Sequence, residues 1–541
     1  MYHHFKNIAI LTVSCLLLLG CGGESKDSLP SLYSIGGTVV GLGKNKTVAL
    51  ENYNTDELII SADGKFTFPE NFYLTYRYNV SIKTQPHGQK CRVFNESGNL
   101  SGGNVSNILV KCVTSGSLDT KLDTDGIFVH HGAAGGNGDD EGNSLALDTG
   151  GGIWVTGYSL NAKGNKDMVM WRYDPNGSYY FLGHNDAAGG NGDDVGNSLA
   201  INAAGEILVA GYSLNSSNNE DMVIWRAYPD GTLDTSFDDD GIVIHDNDAG
   251  GSADDVGLSM AEDANGKILV AGYSQKVSGD SDMVIWRYNT KDATDGKLDT
   301  SFGAKGIVVH NGAAGRDDVA SAITLDSNGK ILVTGYSVNA AGNKDMVIWR
   351  YNTDGELDSS FGTNGIVVHH NAAGGNGDDE GLSITSEATT GIFVTGYSYK
   401  NLGNRDMVIW NYAANGILNN DFGTNGIVVH HGAAGGNGSD EGLSLSLDVD
   451  LKIVVAGYSS NTSGNKDMVI WRYNTESPEN GTLDTNFDED GIVVHDGAAG
   501  RMGSNDEGRS LMLDTNGKIM VTGYSYNASG NKDMVIWRYN P

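Results

Sequence analysis

Along most of the 541 residues, apolar and polar positions alternate in short runs separated by Gly, Asn, Asp and Ser. No segment after residue 20 sustains a helical period, so the pattern predicts an all-β chain of short strands. One run departs from alternation. It reads DMVMWRY from Asp167, DMVIWRAY from Asp221, and DMVIWRY or DMVIWNY from Asp282, Asp345, Asp406, Asp467 and Asp533. On an extended strand its Met and Ile point to one face and its Val, Trp and Tyr to the other, so it must be covered from both sides. Its recurrence every 54 to 66 residues marks a repeat architecture.

Each repeat holds four strand-like runs. In the fourth they are SAITLD (321–326), KILVTGYS (330–337), DMVIWRY (345–351) and GIVVHH (365–370), with a tight turn from Asp326 to Gly329 joining the first two. Four-stranded sheets stacked face to face around an axis cover a doubly apolar strand, and seven of them make a seven-bladed β-propeller over 115–541. The array opens with GIFVHH (126–131), after Leu118-Asp119-Thr120-Lys121-Leu122, and its last run is DMVIWRY. If GIVVHH is the outermost strand, the last blade lacks one and the N-terminal strand supplies it, pairing 126–131 with 533–539 and removing an exposed edge. If GIVVHH is innermost, 126–131 pairs with 143–148.

Residues 32–114 read as a small β-sandwich with strands TVVGL, KTVALEN, LIISADGKFTF, YRYNVSIKT, KCRVFN and NILVKC, and with a hairpin turn at Asp63-Gly64. Such a segment buries a modest core and gains from a staple. Lys6 and the apolar run Ile8–Leu19 have the form of an export signal over 1–20, followed by a polar linker, 21–31. Export leaves Cys91 and Cys112 to pair with each other, the alternative being two buried thiols. A disulfide closing a loop of about twenty residues contributes roughly 3 kcal/mol in the chain-entropy model.

Four resemblances add to this reading. Leu18-Leu19-Gly20-Cys21 resembles the box of bacterial lipoproteins, which implies lipidation of Cys21, membrane anchoring and, with Gly22 in place of Asp, delivery to the outer membrane. Residues 32–114 resemble the Ig-like or transthyretin-like spacers of bacterial surface lipoproteins. LDTSFGxxGIVV, DxxGKILVxGYS and DMVIWRYNxDGxLD resemble the delta-60 repeat family, which implies a propeller and an envelope location but no reaction. Asp174–His184 departs from that pattern, as does Asn411, where six repeats have Arg. His130, His184, His245, His310, His369, His430 and His495 recur with Ser159, Asp167, Trp171 and their equivalents, a set that resembles the bracing network of WD-repeat propellers. The competing reading of the seven histidines is metal ligation.

GGNGDD at 135–140, 189–194 and 374–379 and GGNGSD at 435–440 fit the calcium phrase of RTX β-rolls. Copies 54 or more residues apart exclude a roll, which leaves one calcium site per loop at Asp139, Asp140, Asp193, Asp194, Asp378, Asp379 and Asp440. The alternatives are solvated turns or, for the series Asp140, Asp194, Asp255, Asp318, Asp379, Asp440 and Asp506, bracing of the blade entrance. DTDG, DDDG and DEDG read as generic turns, since other repeats put GTNG or GAKG there.

A net charge of -33 with 35 basic residues argues against nucleic acid as a partner. No G-x-S-x-G elbow, H-E-x-x-H helix or phosphate loop is present. An active site is asymmetric, so Arg316, Arg501, Tyr179, Tyr180 and Asn411, which break the repeat, are the ligand candidates. The expected function is a binding or scaffolding lipoprotein of the cell envelope with a protein or glycan ligand, made multivalent by its repeated loops. The alternatives are a propeller-type polysaccharide lyase or glycoside hydrolase and a calcium-stabilised adhesion protein.

Overall fold

The computed structural model describes residues 31–541 apart from residues 55, 74, 75, 176, 251, 252, 313, 401 and 402; Cys21 and the signal lie outside the described residues. The chain forms two compact units. One holds the described residues up to Gln85 together with Cys91–Cys112, and the other holds Pro86–Lys90 and Val113–Pro541.

The smaller unit has two four-stranded sheets. In one, Leu32–Val40 lies between Gly64–Tyr73 and Val105–Thr114, with Gln89–Phe94 beyond; in the other, Val48–Asn52 and Arg77–Thr84 lie between Asp56–Ile60 and Ser97–Asn99. Ile35, Val39 and Val110 of the first sheet share a core with Leu50 and Val80 of the second. Cys91 and Cys112 form a disulfide across neighbouring strands. The hairpin expected at Asp63-Gly64 does not form, because the strands on either side join different sheets. Instead, the Asp63 carboxylate accepts the Gly41 and Leu42 amides at 2.8 and 2.7 Å and caps the end of Leu32–Val40.

The larger unit contains seven four-stranded sheets and, among its described residues, no α-helix. The fourth sheet comprises Asp318–Leu325, Ile331–Val338, Lys344–Tyr351 and Ile366–His369 in that spatial order. Turn and strand glycines are needed for different reasons. Gly329 closes the first turn at φ 76°, whereas a Cβ on Gly335 would lie 1.9 Å from the Val319 carbonyl oxygen. The Trp strand lies inside every sheet, and all eight tryptophans are 2 % exposed or less. Each Trp removes on the order of 200 Å² from water, about 5 kcal/mol as an upper figure.

The covering surface comes from the adjacent sheet. Leu269, Ala271, Met283 and Ile285 of the third sheet share one cluster with Val333, Val347, Trp349 and Tyr351 of the fourth. The first strands of successive sheets touch in order, and Gly135–Leu147 of the first sheet also touches Asp506–Leu513 of the seventh. These strands therefore surround the axis, and each carries a bulge at residues such as Asn143, Leu258 and Arg509.

Ile127–His130 pairs with the last strand in the register Ile127↔Trp537 to His130↔Met534, so GIVVHH is the outer strand and the N-terminal segment completes the seventh sheet. The preceding spacer joins the same sheet. Asp119 donates its amide to the Arg538 carbonyl at 2.7 Å, and its carboxylate pairs with Arg538 at 3.1 Å and Lys518 at 3.3 Å. Deleting 116–131 is expected to abolish amide protection first in 506–539, read by hydrogen exchange; uniform loss across all sheets would contradict this assignment.

Candidate functional site

The residues repeated in every sheet meet around each junction, as His310, Asp318, Ser337, Asp345 and Trp349 do in lining one cavity. They divide into three groups with separate tasks. The first is a loop cradle: Asp140 accepts the Gly132 and Ala133 amides at 2.8 and 3.4 Å, while Ser159 Oγ accepts the Ala134 amide at 2.9 Å. Asp194 and Ser213 hold their loop in the same way. Burial raises Asp140 above the usual carboxylate range and pushes Asp255 and Asp506 up to about 6. The second group is a turn clamp, in which Asp167 accepts the Asn161 side-chain amide at 2.7 Å.

The third group joins adjacent sheets. His130, on the outer strand of the seventh sheet, accepts the indole N–H of Trp171 in the first at 3.2 Å, and His184 accepts that of Trp225 at 3.3 Å. His310, His369, His430 and His495 pack edge-on against the tryptophans of the next sheets. His245 packs on Trp286, whose N–H goes to Asp248. Burial holds His130, His369 and His430 down at about 4, so these rings are neutral at pH 7 and fit the acceptor role. His130 and Trp171 thus meet at a junction between sheets, because the histidine strand lies outermost and faces the neighbour.

The acidic loops are also tied to the junctions. Asp139 accepts the Lys532 amide, Asp193 that of Lys166 and Asp378 that of Lys344, each at 2.9 Å, and in every case the amide opens the Trp strand of the preceding sheet. Asp379 and Asp440 accept the Asn371 and Gly432 amides of their own loops at 2.9 and 3.0 Å. Among the described residues, no three His, Cys, Asp or Glu side chains are grouped to hold a metal ion. In DTDG, DDDG and DEDG the last Asp accepts the amide two residues on, as Asp125 does from Ile127 at 2.9 Å, which is a turn contact.

The candidates that break the repeat do not converge. Arg316 and Arg501 lie in exposed loops of the fourth and seventh sheets, each beside a turn of its own sheet: a Cβ added at Gly342 or Gly530 would meet their guanidinium groups at 3.6 and 3.2 Å. The other three belong to the opposite end. Tyr179 is exposed and packs on Phe128, while Tyr180 donates to the Pro229 carbonyl and lies 5.7 Å from Arg172, the stacking that Phe302 or Phe361 supplies to the arginine elsewhere. Asn411 is 1 % exposed and must be removed from the ligand candidates. Its amide donates to the Thr390 and Ile392 carbonyls and accepts from Asn419 at 2.8 Å, so an amide pair replaces the buried ion pair made by Arg350 with Asp358.

A further asymmetry surrounds the axis at the end bearing the acidic loops. At four junctions the residue opening the Trp strand is basic and pairs with a Glu on the next sheet's first strand: Lys344 with Glu380 at 2.9 Å, Arg405 with Glu441 at 2.5 Å, Lys466 with Glu507 at 2.8 Å, and Lys532 with Glu141 at 2.7 Å. The Tyr of each adjoining GYS donates to the same Glu, as Tyr397 does to Glu380 at 2.8 Å and Tyr158 to Glu141 at 3.0 Å. Arg509 bridges Glu141 and Glu507 at 2.6 and 3.2 Å.

The three consecutive junctions between the first and fourth sheets lack this staple. Val195, Val256 and Val319 replace Glu, and the opening residues are Lys166, Glu220 and Ser281. Tyr212, Tyr273 and Tyr336 are consequently half-buried, whereas Tyr158, Tyr397, Tyr458 and Tyr524 are 8 % exposed or less. Burial, then Asp254 and to a smaller extent Asp193, push Glu220 up to about 7, against the opposing influence of Lys166 and a hydrogen bond from Tyr273. The substitutions are visible in the sequence. Their adjacency to one another was hidden until the register placed each Val opposite its Tyr.

Glu220 carries a stability consequence with a definite sign. A carboxyl raised from 4.5 to about 7 binds its proton more tightly in the folded state, so its cost is absent below about pH 4.5, grows as pH rises, and is complete above about 7. Glu220→Gln is therefore expected to gain in melting temperature over the parent across that window and to hold a constant advantage above it. A pH-independent difference would refute the assignment.

Five segments, 205–237, 264–302, 327–361, 452–487 and 515–541, match the model described as Domain of unknown function (DUF5122) beta-propeller. No curated protein matches the chain in sequence. Among solved structures, a glucose dehydrogenase is similar at 11 % identity and a TM-score of 0.36, over 63 % of this chain and 94 % of its own. A protein of unknown function from Dyadobacter fermentans is similar at 11 % identity and 0.35, over 77 % and 99 %. A polysaccharide lyase, titled an ulvan lyase, is similar at 11 % identity and 0.27, over 74 % and 86 %. Likeness at that level says nothing of what this chain binds. With four-stranded sheets repeated along the larger unit and the family model matched in five of its repeats, the chain is a β-propeller repeat protein.

Proposed function

We propose that this protein is a non-catalytic binding module of the bacterial cell envelope, held to the outer membrane by lipid on Cys21, with the smaller unit as spacer and the propeller as the binding head. One observation carries the binding role. Ionisable groups repeated in every sheet are committed to loop amides and sheet junctions, while the exposed departures, Arg316, Arg501 and Tyr179, are distributed over three sheets and both ends. A reacting centre needs a nucleophile or base, its orienting partner and a charge-stabilising group around one atom, and these residues do not supply that convergence. Ligand recognition needs only a complementary surface.

The anchor rests on the Leu18-Leu19-Gly20-Cys21 box. Cys21→Ser is expected to shift the protein from the membrane to the soluble fraction, and persistence of the variant in the membrane would count against the anchor. For the head, the mature chain is screened against glycans and envelope proteins, with each bound ligand recovered after prolonged incubation. Saturable binding with an intact ligand is expected. Release of new reducing ends or unsaturated sugars would instead establish the lyase or hydrolase reading.

A further inference from the structure

The axial mouth over the first four sheets differs from the rest in a coordinated way. Loss of a staple by drift would leave one partner in place, either a Glu without its base or a base without its Glu. At all three junctions the Glu is Val, and at two of them the base is also gone, as Glu220 and Ser281. Only Lys166 keeps its charge, held 4.6 Å from the Tyr158 ring centroid with no carboxylate in ion-pair range among the described residues. Each staple elsewhere comprises charge-assisted hydrogen bonds among a base, a Glu and a Tyr. Where both partners are replaced, as by Ser281 and Val319, the loss costs the fold little, and its visible result is a surface: Val195, Val256 and Val319 stay buried while the tyrosines opposite them are left half-open.

The uncovered groups act on one another. Tyr273 lies within electrostatic reach of Glu220, Asp254, Tyr336 and Tyr212, and Lys166 reaches Glu220. The Tyr336 ring is capped by Lys344, whose Nζ lies 3.7 Å from its centroid; the rings of Tyr212 and Tyr273 over an apolar floor favour a ligand with an apolar side, and phenol, ammonium and carboxyl groups offer donors and acceptors to a polar rim. Anionic ligands are disfavoured, since they would meet Glu220, Asp254 and a protein of net charge -33, and the amino-sugar arm of the test below separates a cationic ligand from a neutral one.

We propose that this sector, built on Lys166, Tyr212, Glu220, Tyr273 and Tyr336, binds an uncharged polyhydroxylated chain, a neutral glycan segment lying across adjacent sheets. The assignment rests on the binding-module reading and locates its site. Rebuilding the missing staple tests it, because Glu220→Lys with Val256→Glu places at the second junction the Lys, Glu and Tyr found at three others. The full mature chain and this double variant are titrated by calorimetry with neutral gluco-, galacto- and mannooligosaccharides, and with uronic-acid and amino-sugar oligomers.

The parent is expected to bind at least one neutral series, and the double variant to bind it at least tenfold more weakly while melting at or above the parental temperature. Tyr273→Leu, at a half-buried position, carries the same binding expectation should the double variant fail to fold. Unchanged affinity in the variants, or preference for a charged oligomer, would overturn the inference. Binding of envelope proteins alone would overturn it and leave the module reading standing. Cleavage of the bound glycan would overturn the module reading itself.

Discussion

A strand that is apolar on both faces cannot be exposed on either, and the larger unit is arranged around that constraint. Trp349 and Tyr351 on one face and Met346 and Ile348 on the other are each 2 % exposed or less. A single sheet covers neither side, so every sheet depends on two neighbours. The end of the array is where the constraint is hardest to meet. There Ile127–His130 completes the seventh sheet, and Phe128 and Leu122 enter a cluster shared with Met520, Met534 and Ile536.

Polar chemistry follows the same junctions. Each loop carboxylate that resembles a calcium ligand in the sequence has a backbone amide to accept, either from its own loop or from the neighbouring sheet. A buried amide without an acceptor costs about 1–3 kcal/mol, so seven repeats of one geometry call for seven repeats of one acceptor. Repetition of His, Ser and Asp therefore reports a structural need met seven times. It carries little information about a ligand, and the places where it lapses carry more.

The departures do not all have the same meaning. Asn411 is compensated locally, since Asn419 changed with it and the two share a hydrogen bond. Tyr180 takes over contact with Arg172 where the usual Phe is missing. At Val256 the facing Tyr273 turns to Glu220 instead, yet the tyrosines beside Val195, Val256 and Val319 all stay half-open. Comparison of the seven copies separates substitutions that repair the fold from substitutions that leave a surface behind.

The sequence by itself determined the all-β class, the repeat, the four strands of each sheet and the Cys91–Cys112 pairing, because periodicity and cysteine count are local properties that survive any packing. It left two phases open for GIVVHH and took Asn411 for a ligand candidate. Only the tertiary structure decided these. Which sheet a histidine faces, which side chain stands opposite Asn411, and whether Glu220 has a partner depend on residues about 8 to 60 positions away, brought together by register and stacking. The hairpin signal at Asp63-Gly64 failed for the same reason: two residues can turn a chain, but the partner of the next strand is chosen by burial in the whole unit.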